Sequence, residues 1–452
     1  MLKEGQIVKG TIKYIDEFGN GVLVQGKDHV LLRNVFVNEE VSAIIKKRIQ
    51  KGYVAQIKQM IKPSKDRVKP ECGIYERCGS CHLMHMKKDV QSKYKKNMIE
   101  ELCKKAKLSI KVEDVCTMKD PYHYRNKIIV GFQKDKQRHI QAGFYEEFSH
   151  KIIPYKDCHL HPSICDEIIQ TITRLLEKFR VELYNEDKRS GMLRHVLIRY
   201  GKVSKQIMVV LVVQSNVFPA RKNFIQALLK EHPEITTIIQ NVNSRKTSVV
   251  LGNEERVLYG QGYIEDTLCG CTYRISAKSF YQINHEQTEV LYKMAIERLH
   301  LQGNEKVLDA YCGIGTIGMY ASRFAKEVIG VEINKDAIAD AKVNAKLNAI
   351  HNIHFQCDDA GKYMQKMAAK REKLDVVIMD PPRSGSSEAF IQSVAMLKVK
   401  EVLYISCNPE TQIQDIKLFQ KMGYQTEGTM QLVDMFPFTE HVESIVKLVR
   451  KQ

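Results

Sequence analysis

The chain has 452 residues, more than one hydrophobic core holds, so several domains are expected. Its 70 Lys and Arg against 53 Asp and Glu leave a net charge of +17, which favours a polyanionic partner, most simply nucleic acid. No run approaches the roughly 18 apolar residues of a membrane span. No apolar signal core follows Met1-Leu2-Lys3-Glu4-Gly5, so a cytoplasmic protein with no membrane partner is expected. Trp is absent, so base stacking falls to Tyr, Phe, His or Arg, and the twelve cysteines of a reducing compartment are read as metal ligands, catalysts or core residues.

In chain order, residues 1–62 read as about five short strands: Ile7 to Tyr14, Val22 to Val24, Val30 to Leu32, Val41 to Ile49 and Tyr53 to Ile61. The turn Asp16-Glu17-Phe18-Gly19-Asn20-Gly21 joins the first two. Five strands in so short a length predict a small oligonucleotide-binding-type barrel, with Lys46, Lys47, Arg48, Lys51, Lys58 and Lys62 on a basic side suited to RNA. This stretch resembles a TRAM domain, an RNA-binding module of RNA-modifying enzymes. Lys62 to Pro70, with two prolines and several cations, reads as a linker.

Residues 63–272 read as a mixed α+β domain. Cys72, Cys78 and Cys81 fall within ten residues, spaced by Gly73, Gly79 and Ser80. Clustered thiolates suit a soft metal, and the spacing leaves zinc (with His82 or His85) and an iron–sulfur cluster (with Cys158) open. Lys87 to Lys107 is predicted helical, followed by the aromatic and basic run Tyr122-His123-Tyr124-Arg125-Asn126-Lys127, suited to RNA. Strands are predicted at Ile128 to Phe132, Gln141 to Tyr145, His195 to Tyr200, Gln206 to Val213 and Ile235 to Asn241, with a helix at Asn223 to Lys230.

Residues 273–452 alternate strand and helix, the pattern of a doubly wound parallel α/β domain. Asp309, Glu332, Asp380 and Cys407 each fall at the carboxyl end of a predicted strand, where such sheets place their chemistry. Gly313-x-Gly315-x-x-Gly318 with Glu332 fits either a dinucleotide or S-adenosylmethionine, since both need backbone approach at glycines and an acid for ribose hydroxyls. Asp309 at the end of the first strand, with Cys312-Gly-Ile-Gly315 after it, leans toward the methyl donor. In Asp380-Pro-Pro-Arg383 a cation stands where amine methylases carry an aromatic, so Asp380 is free to accept from a base ring N–H. Phe280-x-Gln282-x-Asn284 offers a stacking ring and two amides, and Phe436 to Glu443 offers two acids and His441 before a last strand.

A thiol, an acid, a methyl-donor loop and a flat-base pocket fit one reaction. Uracil C5 is too weak a carbon nucleophile to take a methyl group until a thiolate adds at C6. A base must then take the C5 proton so that the thiol leaves. Ser406-Cys407-Asn408-Pro409, Asp380-Pro-Pro-Arg383, Phe280-x-Gln282-x-Asn284 and His441-x-Glu443 resemble the RNA uridine-5 methyltransferase family over essentially the whole chain.

That resemblance implies a class I S-adenosylmethionine-dependent methyltransferase domain behind a TRAM barrel and an iron–sulfur domain. It implies Cys407 as nucleophile, Glu443 as proton acceptor, Phe280 as stacking ring, and Gln282 and Asp380 at the uracil and cofactor. Tyr311, Gly313, Gly315, Glu332 and Asp359 become cofactor contacts. It also implies a [4Fe–4S] cluster on Cys72, Cys78, Cys81 and Cys158 and, because the transfer-RNA branch typically lacks both cluster and TRAM module, 23S ribosomal RNA as partner. Transfer RNA as substrate and a non-catalytic iron–sulfur RNA-binding protein are the rivals. Glu440 departs from the Gly or His that family members often carry, and is expected either to raise the pKa of Glu443 or to face solvent.

Overall fold

The computed structural model describes residues 2–16, 19–146, 149–247 and 249–451. By its contacts the chain divides into two units, Met1–Lys95 with Phe436–Glu440, and Lys96–Met435 with His441–Gln452.

The first unit holds β1 (Ile7–Ile15), β2 (Gly21–Gln25), β3 (Asp28–Leu32), β4 (Glu40–Ile49) and β5 (Gly52–Lys62), closed into a barrel in the order β1-β2-β3-β5-β4. Alternate residues fill it, including Ile12, Leu23, Val30, Leu32, Val41, Ala43 and Ile45. Closure brings β3 parallel to β5 through Val30↔Tyr53. Gly52, at φ +141°, is needed there, because a Cβ would meet the His29 carbonyl oxygen at 2.3 Å. Of the expected β1–β2 turn, Asp16 donates to the Asn20 carbonyl at 2.8 Å, while Glu17 and Phe18 lie outside the described residues.

The predicted linker after β5 is pinned rather than free. Buried Glu39 accepts from Ser64 N–H at 2.9 Å and Phe36 N–H at 2.9 Å, and from Arg67 Nε at 2.7 Å and Nη2 at 2.6 Å. Burial opposes the Glu39 charge, but Arg67 and the two backbone donors outweigh it and hold the carboxyl below its usual range. The helix α1 (Lys88–Lys105) begins in this unit.

In the second unit β6 (Val112–Cys116) precedes β7 (Lys127–Lys134), β8 (Ile140–Tyr145), β9 (Ile152–Pro154) and α2 (Ser163–Lys178). Next come β10 (Leu193–Tyr200), β11 (Ile207–Val213), α3 (Arg221–Glu231), β12 (Ile235–Val242) and β13 (Glu254–Tyr259). Strands β7 to β13 form a seven-stranded sheet, β13-β12-β11-β10-β7-β8-β9, packed on α2 and α3 through Ile168, Ile172, Leu176, Phe224 and Leu228. The hairpin β14 (Tyr263–Leu268) and β15 (Cys271–Ser276) leads to α4 (His285–Glu297).

The alternating half supplies β16 (Lys306–Ala310), α5 (Thr316–Ala321), β17 (Glu327–Glu332), α6 (Lys335–Leu347), β18 (Ile353–Cys357) and α7 (Ala360–Lys370). It continues with β19 (Val376–Met379), α8 (Glu388–Met396), β20 (Glu401–Ser406), α9 (Pro409–Lys421), β21 (Tyr424–Val433) and β22 (Glu443–Arg450). The sheet order is β18-β17-β16-β19-β20-β22-β21-β6. The first five strands run parallel, as expected of a doubly wound fold, whereas β22 is antiparallel to both β20 and β21. The edge strand β6 comes from the stretch read above as part of the central domain. Strand order reverses between β16 and β19, and this switch point opens a crevice at their carboxyl ends. No described helix is long and apolar enough to cross a membrane.

Removing the charge at Glu39 leaves Arg67 without its partner. Glu39→Gln is expected to lower the stability of the first unit by about 2 kcal/mol, read by urea unfolding at pH 7.

Candidate active site

Cys407 is the first residue past β20, and Glu443 is the first residue of β22. The two strands pair antiparallel with Ser406 opposite Ser444. One further step in that register sets Cys407 opposite Glu443, on the face of the sheet away from the serines. The register is locked from behind. Ser444 Oγ donates to Gln412 Oε1 at 2.7 Å, and Gln412 Nε2 donates to the Tyr404 carbonyl at 3.0 Å. Glu443 is 3% exposed, while Cys407 is half-buried and open to a ligand.

Asn408 and Pro409 turn the chain into α9. The Asn408 side chain caps that helix by accepting from Glu410 N–H, and Pro409 sits in its first turn. Cys407 thus lies at a helix N-terminus, which favours a thiolate. The same Asn408 donates Nδ2 to the Arg383 carbonyl at 2.8 Å, and Thr411 Oγ1 donates to that carbonyl at 3.2 Å. These two bonds tie the Asp-Pro-Pro-Arg loop to the cysteine turn. They set the Arg383 guanidinium in hydrogen-bond reach of the thiol, with Nη2 3.3 Å from His441 Nε2.

The site is crowded with acids. Burial, then the Glu443 and Asp380 carboxyls, pushes the Cys407 thiol up to about 11, and Arg383 pulls it back. Burial pushes Asp380 up to about 7. Burial and then Asp380 hold Glu443 well above the carboxylate range, against Arg383. Burial also pushes Asp309 up to about 8, opposed by a 2.8 Å hydrogen bond from Gly318 N–H and helped by Asp380 and Glu332. Carboxyls that carry protons near neutral pH can exchange them with a substrate there.

The cofactor loop follows β16. Tyr311 (φ 65°), Gly313 (φ 55°) and Gly315 (φ 84°) all take left-handed backbone. A Cβ on Gly313 would meet nothing described within 4 Å, leaving room for a ligand beside the backbone. Glu332, at the end of β17, accepts from Gly313 N–H at 3.2 Å and Asn334 N–H at 2.9 Å, keeping outer lone pairs for a diol. Asp309 Oδ1 is buried with no partner among the described residues, an orphan acceptor under the loop. Tyr311 bonds Ser386 across 2.8 Å, and Asp359 caps α7 by accepting from Lys362 N–H at 2.9 Å. An orphan acceptor, an open glycine and a diol-competent acid fit S-adenosylmethionine.

Phe280 is 66% exposed on its loop, whereas Gln282 is buried. Asn284 does not join them. It caps α4 by accepting from Gln287 N–H at 3.2 Å and donates to the Met435 carbonyl at 3.1 Å. Sequence reading gave Arg383 no role, although it stands three residues past Asp380, and it missed the proton-holding of Asp309.

Cys72, Cys78 and Cys81 lie in the first unit and Cys158 in the second, and among the described residues no group of three or more His, Cys, Asp or Glu side chains is gathered for a metal. Both local zinc candidates have a side-chain partner at Nδ1. His82 pairs with Glu440 through Nδ1, and His85 Nδ1 lies 2.7 Å from Tyr75 Oη. Glu440 is thus paired with His82 rather than facing solvent alone.

Strand order, glycine loop and acids define an S-adenosylmethionine-dependent methyltransferase of the class I fold. Residues 87–451 match the model of a family described as tRNA (Uracil-5-)-methyltransferase. The chain is 38% identical to an uncharacterized RNA methyltransferase of Halalkalibacterium halodurans, over 100% of this chain and 98% of the other. It is 39% identical to one of Clostridium acetobutylicum, over 97% and 96%. Among solved structures, the Pyrococcus abyssi tRNA (uracil-54, C5)-methyltransferase in complex with S-adenosyl-L-homocysteine superposes with a TM-score of 0.78 at 28% identity, over 98% of this chain and 100% of that one. The chain belongs to the RNA uracil-5 methyltransferase family and is an S-adenosylmethionine-dependent enzyme of that class, which removes the dinucleotide reading of the glycine loop.

The raised carboxyl pKa values carry a stability cost with a definite sign. Between pH 4 and 8 the folded chain binds more protons at Asp380 and Asp309 than the unfolded chain, so these groups make stability fall as pH rises. Asp380→Asn is expected to raise the melting temperature of the ligand-free protein at pH 8 by about 2–4 °C and to leave it unchanged near pH 4.5, measured by calorimetry.

Proposed function

We propose that this chain methylates C5 of uridine in 23S ribosomal RNA, with Cys407 as nucleophile and Glu443 as the base that takes the C5 proton. The observation that carries the chemistry is the β20–β22 register, which supports a thiol and a buried carboxyl as neighbours on one face of the sheet, both within reach of one flat ring. Cys407 gives up its proton to solvent water and its sulfur adds to C6, sending the ring's electron pair toward C5 and the C4 carbonyl. Arg383 lowers the cost of the thiolate. S-adenosylmethionine, when bound, supplies an electrophilic methyl group to C5. Glu443 then takes the C5 proton, the C5–C6 double bond re-forms and the sulfur leaves. A carboxyl held this high is a strong proton acceptor once ionised.

Phe280 stacks on the uracil, Gln282 and Asp380 accept and donate at its edge, and Tyr311, Gly313, Gly315, Glu332 and Asp359 hold the methyl donor. The barrel, read as a TRAM module, the 63–272 region and the 273–452 methyltransferase domain complete the proposed organisation, in the cytoplasm. The [4Fe–4S] cluster on Cys72, Cys78, Cys81 and Cys158 rests on spacing and resemblance alone, since the geometry does not carry it, and no step depends on it. Iron and acid-labile sulfide in equal amounts after anaerobic purification would establish it, and a chain free of both would remove it.

One observation favours transfer RNA as substrate instead. The Pyrococcus abyssi enzyme named for tRNA matches across the full length, so the N-terminal barrel does not separate the two substrates. Nucleoside mass spectrometry after incubation with unmodified 23S fragments and with unmodified tRNA decides between them. New 5-methyluridine in the 23S fragments alone is the expected result, and product in tRNA alone would contradict it. Cys407→Ala is expected to abolish product. Glu443→Gln is expected to slow release at least about 100-fold and to accumulate a covalent protein–RNA species on denaturing gels.

A further inference from the structure

Lys127 and Arg199 stand directly opposite each other across β7 and β10. Opposed side chains leave a sheet on the same face, and like charges in that position destabilise it. Arg199 is 4% exposed; its Nη2 donates to the Ala277 carbonyl at 3.1 Å and to the Ser279 carbonyl. Its Nε, also buried, has no partner among the described residues. Asp340 and Glu255 act on it only through space, and Asp340 Oδ2 is already taken by Ser276 and Ser279. Lys127 is half-buried, and among the described residues no carboxylate pairs with it. Burial, then Arg199 and Arg125, pulls its pKa down to about 8.

These cations sit at the foot of the loop that displays Phe280. Arg199 holds the loop's start, and Asn126, next to Lys127, holds its middle. Asn126 donates Nδ2 to the Gln282 carbonyl at 2.8 Å and its backbone N–H to the Ile283 carbonyl at 3.0 Å. A half-buried ammonium, a second cation behind it and a spare buried donor lack one thing, an anion. A nucleotide turned out of its strand onto Phe280 brings its flanking phosphates within one sugar of the base.

We propose that Lys127, backed by Arg199, seats a backbone phosphodiester of the RNA beside the uridine that stacks on Phe280, an inference that rests on the stacking role of Phe280. The phosphate fixes the sugar while the ring fixes the base, so the two act on one nucleotide from the same loop.

The test compares wild type, Lys127→Gln, Lys127→Arg and Phe280→Ala as full chains on a short single-stranded RNA that wild type methylates. For Lys127→Gln we expect KM for RNA to rise about tenfold with kcat within about twofold, and the slope of log affinity against log salt to shrink by about 0.7. S-adenosylmethionine affinity is expected to be unchanged, the melting temperature unchanged or higher, and Lys127→Arg to recover most of the RNA affinity. An unchanged KM and salt slope would overturn the seat, and so would a loss of melting temperature and kcat with the slope intact. If Lys127→Gln behaves as expected but Phe280→Ala leaves KM and kcat alone, Lys127 still binds a phosphate, but the stacking role falls and with it the placement of that phosphate beside the target uridine.

Discussion

An antiparallel strand set into a parallel sheet is the constraint on which the site depends. Parallel strands all end at the same edge, so two of them bring only carboxyl-terminal residues together. A strand running the other way begins at that edge. Because β22 lies beside β20 in this sense, its first residue, Glu443, meets the residue that follows β20, Cys407. The buried bonds among Ser444, Gln412 and Tyr404 hold this register, and a slip of one residue would send Glu443 to the opposite face.

The second constraint is electrostatic. Buried Asp380 adds to the proton affinity of both Asp309 and Glu443, and Cys407 sits beside Glu443 and Asp380. Arg383 is the cation that moderates this set, held by Asn408 and Thr411 through its own carbonyl. The thiol is therefore quiet in the ligand-free protein, protonated far above neutral pH, and the site favours its anion only as far as Arg383 and the helix N-terminus reach. The ligand-free fold tolerates carboxyls that it would be more stable without, a compromise found where chemistry needs protons near neutral pH.

Much of this was legible before the structure. Strands with β-branched or short apolar runs, such as Val41 to Ile49 and Gln206 to Val213, lie within a residue or so of where expected, and Cys407 and Asp380 stand at strand ends before the Asn-Pro and Pro-Pro breaks that follow them. What escaped has local causes. β6, Val-Glu-Asp-Val-Cys, looks polar because it is an edge strand, and its place in the sheet depends on β21, over 300 residues later. The Lys62–Pro70 run has a linker's composition, and only Glu39, far upstream, shows that it is pinned. Arg383 was visible beside Asp380, but its bearing on the thiol comes from bonds to Asn408 and Thr411 that no spacing reveals. The four cysteines mark the opposite limit, a motif plain in sequence whose side chains the described structure does not gather.

The most direct test of the account is to trap the enzyme on RNA carrying 5-fluorouridine, whose C5 bears no proton for Glu443 to take. With S-adenosylmethionine present, the account predicts a stoichiometric covalent complex with a methylated uracil whose C6 is bonded to the Cys407 sulfur, located by peptide mass spectrometry. A linkage to any other residue, or no complex from an enzyme that methylates ordinary RNA, would contradict it.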